Sequence, residues 1–236
     1  MKKNNAYEGK LFSVLGDSIS TLGGYSEPAD AAFYAGDKKF EAEVFMPEDT
    51  WWGIVIAALG GELLVNNSIS GSMVSDHPCC FIPSYGCSDE RTSSLGGSGK
   101  LPDVVMVLLG TNDWGCGVRV LPCNESESAD PCVFSVAYEL MLAKLKKNYP
   151  NAEIWCLTLP VSTHKQQEMI EFPYRSHGRH IEEYCAVIRN TAVKYGCKVI
   201  DLYAENMMLD TIDGYHPNLS GMKAIADAVL SNVENW

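Results

Sequence analysis

Short apolar runs alternate with longer stretches of helical period along the whole chain. The runs at 11–15, 62–66, 103–109, 152–159 and 198–203 are rich in branched residues and bounded by Gly or polar positions, a pattern that predicts strands. In the third run Val104, Val105, Met106, Val107, Leu108 and Leu109 leave no polar alternation. Such continuity marks strands buried on both faces of a parallel sheet. Between the first two runs, Trp51, Trp52, Val55, Ala58 and Leu59 recur at helical spacing, with Asp49 or Thr50 as the cap and Gly60-Gly61 as the stop. Val133, Val136, Ala137, Leu140, Met141 and Leu145 mark one face of a helix over 133–148, and Lys144, Lys146 and Lys147 in its last turn complement its dipole. Ile181, Tyr184, Cys185, Ile188 and Ala192 form a third stripe. Met222, Ile225, Ala226, Val229 and Val233 form a fourth, in a helix beginning near Leu219 or Ser220. Repeated strand–helix alternation predicts an α/β fold, a doubly wound sheet of about five parallel strands.

Three connections, 18–49, 67–102 and 110–132, far exceed the usual loop of about 4–6 residues. All three leave the carboxyl ends of predicted strands, the edge where open α/β sheets bind ligands. With 236 residues, 46% of them apolar, the chain is expected to form one domain over 1–236 around its own core. Its 18 Lys+Arg against 30 Asp+Glu give a net charge of −12, which argues against broad binding to nucleic acid or anionic membranes. No run of about 18 apolar residues reads as a membrane span. The basic start at Lys2-Lys3 is followed by no apolar stretch before Gly16, so it does not read as a secretory signal. The expected location is cytoplasmic, or exported if a signal has been removed. Nine cysteines is an odd number, and Cys79, Cys80, Cys87, Cys116, Cys123 and Cys132 fall in loop-like segments. Unpaired thiols are the expectation, with one or two loop disulfides as the alternative.

Candidate chemistry gathers in four blocks. Gly16-Asp17-Ser18-Ile19 directly follows the first run; a Ser in such a Gly-enabled turn presents its hydroxyl and backbone N–H at the mouth of the sheet. Asp213-Gly214-Tyr215-His216 precedes the last helix. An Asp three positions before a His can accept from one ring nitrogen and leave the other to take a proton from a hydroxyl. Gly110-Thr111-Asn112-Asp113 follows the third run, where an Asn amide can face an oxygen developing negative charge, a role worth roughly 10²–10³ in rate elsewhere. Asn67-Ser68-Ile69-Ser70-Gly71-Ser72 follows the second, where Gly71 lets a substrate oxygen approach a backbone N–H. Each block alone has an ordinary structural explanation as a cap or turn. In a sheet of order 2-1-3-4-5, however, strands two, one and three are neighbours, so Gly71, Ser18 and Asn112 would converge.

These four blocks, in this order, resemble the SGNH hydrolase family, the GDSL-type esterases and lipases, with Ser18, Gly71, Asn112 and His216 matching the letters of its name. The first block reads GDSI where many members read GDSL. The resemblance implies a flavodoxin-like three-layer α/β/α sandwich and ester hydrolysis without metal or other cofactor. It implies Ser18 as nucleophile, His216 as base and Asp213 as its orienting carboxylate, with the Ser18 and Gly71 N–H groups and the Asn112 amide as oxyanion donors. The expected partner is a small-molecule ester, with a short acyl group such as acetyl on a carbohydrate as first choice, because no extended apolar lid is legible. A lysophospholipase or thioesterase on the same site is the alternative, and a non-catalytic binding protein of this fold a further one.

Substrate contacts are less marked. Asp17, Arg91 and Tyr215 are candidates; Arg91 could reach the pocket or lie in an exposed helical ion pair. Tyr25, Phe33, Tyr34, Phe40 and Phe45 in the first long connection could line a slot or pack that connection onto the domain. The basic cluster Arg175, His177, Arg179 and His180 could hold an anion or open a helix. His77, Cys79, Cys80 and Cys87 could bind zinc, although their spacing is not a standard paired-ligand one.

Overall fold

Strands β1 (Leu11–Gly16), β2 (Glu62–Ser68), β3 (Val104–Leu108), β4 (Glu153–Leu157) and β5 (Lys198–Ile200) pair in parallel in the order β2-β1-β3-β4-β5. This computed structural model describes residues 5–26, 31–79, 84–121, 129–162, 174–205 and 207–236. The register sets Gly16 opposite Ser68 on one side and Leu108 on the other. Three of the four chemical blocks therefore leave the sheet side by side.

Side chains of a strand alternate between faces, and the two apolar cores follow that alternation along β3. Val104, Met106 and Leu108 enter one core with α2 (Trp51–Leu59) and α7 (Leu219–Glu234). Val105 and Val107 enter the other with α5 (Phe134–Asn148) and α6 (Ile181–Lys194). Helices on both faces make the three-layer α/β/α sandwich. No helix among the described residues is long and apolar enough to cross a membrane.

Helix ends follow local chemistry. Thr50 caps α2, its Oγ1 accepting from the Gly53 N–H at 3.1 Å, and Gly60 ends it in the left-handed region at φ 71°. Asn218 caps α7 by accepting from the Gly221 N–H. The basic cluster opens a helix by way of a hairpin: Arg175–Ser176 and Arg179–His180 pair as two short strands, and His180 then caps α6. β5 is shorter than its apolar run predicts. Asp201 turns the chain there, accepting from Thr158 Oγ1 and the Ala204 N–H and pairing with Arg189.

The long connections hold short helices, α1 (Lys38–Ala42), α3 (Asp89–Ser93) and α4 (Thr111–Gly115). Cys79, Cys87, Cys116, Cys132, Cys156, Cys185 and Cys197 are not joined in disulfides. Cys80 and Cys123 lie outside the described residues.

Candidate active site

β1 ends in a turn that only a glycine fits. A Cβ on Gly16 would lie 2.7 Å from the Ser20 side chain and 2.9 Å from Ser68 Oγ. Asp17 then accepts from the Ile19 N–H at 3.0 Å and caps the single turn Ser18–Ser20. Indole N–H groups of Trp51 and Trp52 reach Ser20 Oγ and the Ser20 carbonyl, and the Asn66 amide reaches that same carbonyl. The turn is thereby anchored from α2 and β2, with Ser18 only 7% exposed.

The loop before α7 is closed by a bridge between Thr211 and Pro217 and by the Ile212 N–H donating to the His216 carbonyl at 3.0 Å. Inside it, Asp213 Oδ1 accepts from the N–H groups of Tyr215 and His216, at 3.0 and 2.9 Å. Asp213 Oδ2 lies 2.6 Å from His216 Nδ1, and His216 Nε2 lies 2.8 Å from Ser18 Oγ. Burial alone would raise the Asp213 carboxyl, but the bonds from the His216 ring and the two backbone N–H groups outweigh it and hold the carboxyl down to about 2. An ionised Asp213 favours the tautomer with hydrogen on Nδ1, which leaves Nε2 to accept from the serine.

Gly71, at φ 77°, sits in the left-handed region that favours glycine. Asn112 lies in the first turn of α4, and its Nδ2 donates to the Ser72 carbonyl at 2.9 Å. That bond ties the end of β3 to the loop after β2. Asp113, next in sequence, reinforces the tie by accepting from the N–H groups of Val74 and Ser75 and from Ser75 Oγ. It is fully buried, which pushes its carboxyl up to about 6. In sequence it stood only as the last residue of the Gly110-Thr111-Asn112-Asp113 block, and its acceptor role depends on a loop 38 and 39 positions away.

Two of the three substrate-contact candidates belong to the scaffold instead. Arg91 is 2% exposed, so its side chain does not lie on an exposed helical face. From α3 its guanidinium donates to Asn67 Oδ1, to Ser72 Oγ and Ser84 Oγ, and to the carbonyls of Gly16 and Asn67. The planar, five-donor fork suits this convergence of loop acceptors. Asp17 is fully buried, and its Oδ2 has no hydrogen-bond partner among the described residues. That burial pushes the carboxyl up to about 7. Tyr215 is half-buried, 6.4 Å from the Trp114 ring between centroids.

The aromatics of the first long connection divide. Phe33 stacks on the His216 imidazole, centroids 3.5 Å apart and planes 9° from parallel. Tyr34 is buried beneath it, Tyr25 packs near Trp52, and Phe40 and Phe45 are exposed against each other. The hairpin at 175–180 docks on α4, with Ser176 Oγ donating to the Gly115 carbonyl and Trp114 Nε1 to the Arg179 carbonyl. Arg179 pairs with Glu183. The described members of the proposed zinc set do not gather into a metal-holding group, and burial pushes the Cys87 thiol up to about 12, which disfavours a thiolate ligand. Cys80 lies outside the described residues.

The GDSL-like Lipase/Acylhydrolase family model matches residues 10–233. A solved structure from Bacteroides uniformis described as a GDSL-like lipase is 29% identical, with a TM-score of 0.72 and 97% of each chain covered. Another so described, from Bacteroides ovatus, is 24% identical with a TM-score of 0.74, covering 97% of this chain and all of that one. A carbohydrate esterase family 2 enzyme with a carbohydrate binding domain, from Corynascus thermopiles, shares the fold at 18% identity and a TM-score of 0.61, over 98% of this chain and 68% of that one. No curated protein matches the sequence.

Proposed function

Because the chain belongs to the GDSL-like lipase/acylhydrolase family, whose chemistry is the hydrolysis of carboxylic esters, we propose that it is a serine esterase working through an acyl-enzyme. The observation that carries this reading is the continuous file from Asp213 Oδ2 through the His216 ring to Ser18 Oγ, at 2.6 and 2.8 Å. His216 removes the Ser18 proton as the hydroxyl attacks the ester carbonyl. Asp213 orients the ring and stabilises the imidazolium that results. The Ser18 and Gly71 N–H groups and the second N–H of the Asn112 amide stabilise the oxyanion. The alcohol leaves with a proton from His216, and water repeats the sequence on the acyl group to release the acid and restore Ser18.

The substrate in this reading carries a short acyl group, such as acetyl on a carbohydrate. It is supported by the lack of an extended apolar lid in the sequence and by the carbohydrate esterase among the similar folds. Ser18→Ala is expected to abolish turnover of p-nitrophenyl acetate and labelling by a fluorophosphonate probe, with the far-UV circular dichroism unchanged. Near-wild-type turnover in that variant would remove Ser18 as nucleophile. Comparing acetyl with octanoyl esters then tests chain length, and a clear octanoyl preference would point instead to the lysophospholipase type of substrate.

A further inference from the structure

A single four-residue segment, 31–34, touches three parts of the site: the turn of Ser18, the loop of Gly71 and the loop of His216. The Ala31 carbonyl accepts from the Ser70 N–H at 2.8 Å, beside Gly71. The Phe33 N–H donates to Thr21 Oγ1 at 2.9 Å, and that hydroxyl donates to the Ser18 carbonyl at 2.8 Å. Tyr34, fully buried, donates from its hydroxyl to the carbonyl of Pro217, the residue after His216, at 2.8 Å. The Phe33 ring covers one face of the His216 imidazole and meets the Tyr34 ring edge-on, at 5.1 Å and 79°.

We propose that residues 31–34 are a clasp that holds the nucleophile turn, the Gly71 loop and the base in register, and that Phe33 is the positioning residue that fixes the His216 ring. The inference rests on the esterase reading above. The bond from Nδ1 to Asp213 leaves the imidazole able to rock about that contact, because the last torsion of a histidine side chain is broad. A flat ring lying parallel at 3.5 Å blocks the rocking on that side. It also presents its electron-rich face to a ring that becomes cationic only after Ser18 has surrendered its proton. An interaction that strengthens in the transition state raises kcat rather than lowering KM.

The test compares the full chain with its Phe33→Leu, Phe33→Met and Phe33→Tyr variants on p-nitrophenyl acetate. Leu and Met are expected to lower kcat about tenfold, in line with the sensitivity of near-attack geometry to small displacements, with KM changed less than about twofold. Fluorophosphonate labelling is expected to slow in parallel, and Tyr, which keeps the flat ring, to restore kcat. In proton spectra the His216 ring resonance, shielded by the stacked ring, is expected to move downfield in Leu and Met while thermal midpoints hold. Unchanged kcat, or a rise confined to KM, in a wild type that shows Ser18-dependent turnover would overturn the clasp alone. A wild type with no Ser18-dependent turnover or labelling would overturn the esterase reading and the clasp's catalytic role together.

Discussion

The Asn112 amide already holds the Ser72 carbonyl at 2.9 Å, so its plane is set before any ester arrives. Only its second N–H is then available to the oxyanion of the proposed mechanism, a bond that tightens as charge develops. Asn112→Ala is therefore expected to lower kcat about 10²- to 10³-fold, with a smaller change in KM, measured by steady-state kinetics on a short ester. A change confined to KM would contradict the role. Ser18, His216 and Asp213 were legible because their signals are local: a serine in a glycine turn, and a carboxylate three residues from an imidazole. Arg91 was not. Within Asp89-Glu90-Arg91-Thr92-Ser93 it looks like a member of an exposed ion pair, whereas its acceptors, Gly16, Asn67, Ser72 and Ser84, come from separate stretches of chain. Phe33 was legible as one of five aromatics in its connection, but its place on His216 depends on a loop far along the chain, 183 positions separating its neighbour Tyr34 from Pro217.

Among the elements, α2 shows how a helix terminus is secured by a single side chain. Thr50 Oγ1 accepts from the Gly53 N–H at 3.1 Å and donates to the Pro47 carbonyl at 2.7 Å, so one hydroxyl joins the helix to the turn before it. Thr50→Ala is expected to cost about 1 kcal/mol, or about 2–4 °C in thermal midpoint for a chain of this size. Calorimetry or circular dichroism reads that shift, and an unchanged midpoint would deny the cap its part. The order of strands and helices was legible because apolar period is a property of neighbours in sequence. The ends were less so. The run at 198–203 continues past the point where β5 stops, since Asp201 takes Arg189 and Thr158 as partners that its own segment does not reveal and turns the chain back onto the Ala204 N–H. Helices α1, α3 and α4, of five residues each, are too short to show a period.

Across the whole molecule, two buried carboxyls beneath the site set a dependence on pH. Burial raises Asp17 to about 7 and Asp113 to about 6, against about 3.9 for an unfolded Asp. Over that window the folded chain binds more protons than the unfolded one, so these two groups make stability fall as pH rises from about 4 to about 7. Asp213 acts at the other end. Its carboxyl is held near 2, so its contribution is complete above the unfolded value and is lost as pH falls through about 2. Urea unfolding midpoints measured from about pH 5 to pH 8 are expected to decline, and Asp17→Asn to flatten the decline. Parallel curves for the two proteins would show that Asp17 is ionised throughout. The sheet order was legible from the doubly wound class that strand–helix alternation predicts, and it places the carriers of three of the four chemical blocks on β2, β1 and β3 side by side.

Ser18 and His216 bond across 198 positions of chain, so the serine is synthesised long before the imidazole it meets. A nascent polypeptide halted before the loop at 211–217 holds its serine with no imidazole to deprotonate it. In the proposed mechanism, hydrolytic competence thus appears only once the loop at 211–217 has been made and has closed on the Ser18 turn, which makes ester turnover a reporter of that long-range closure.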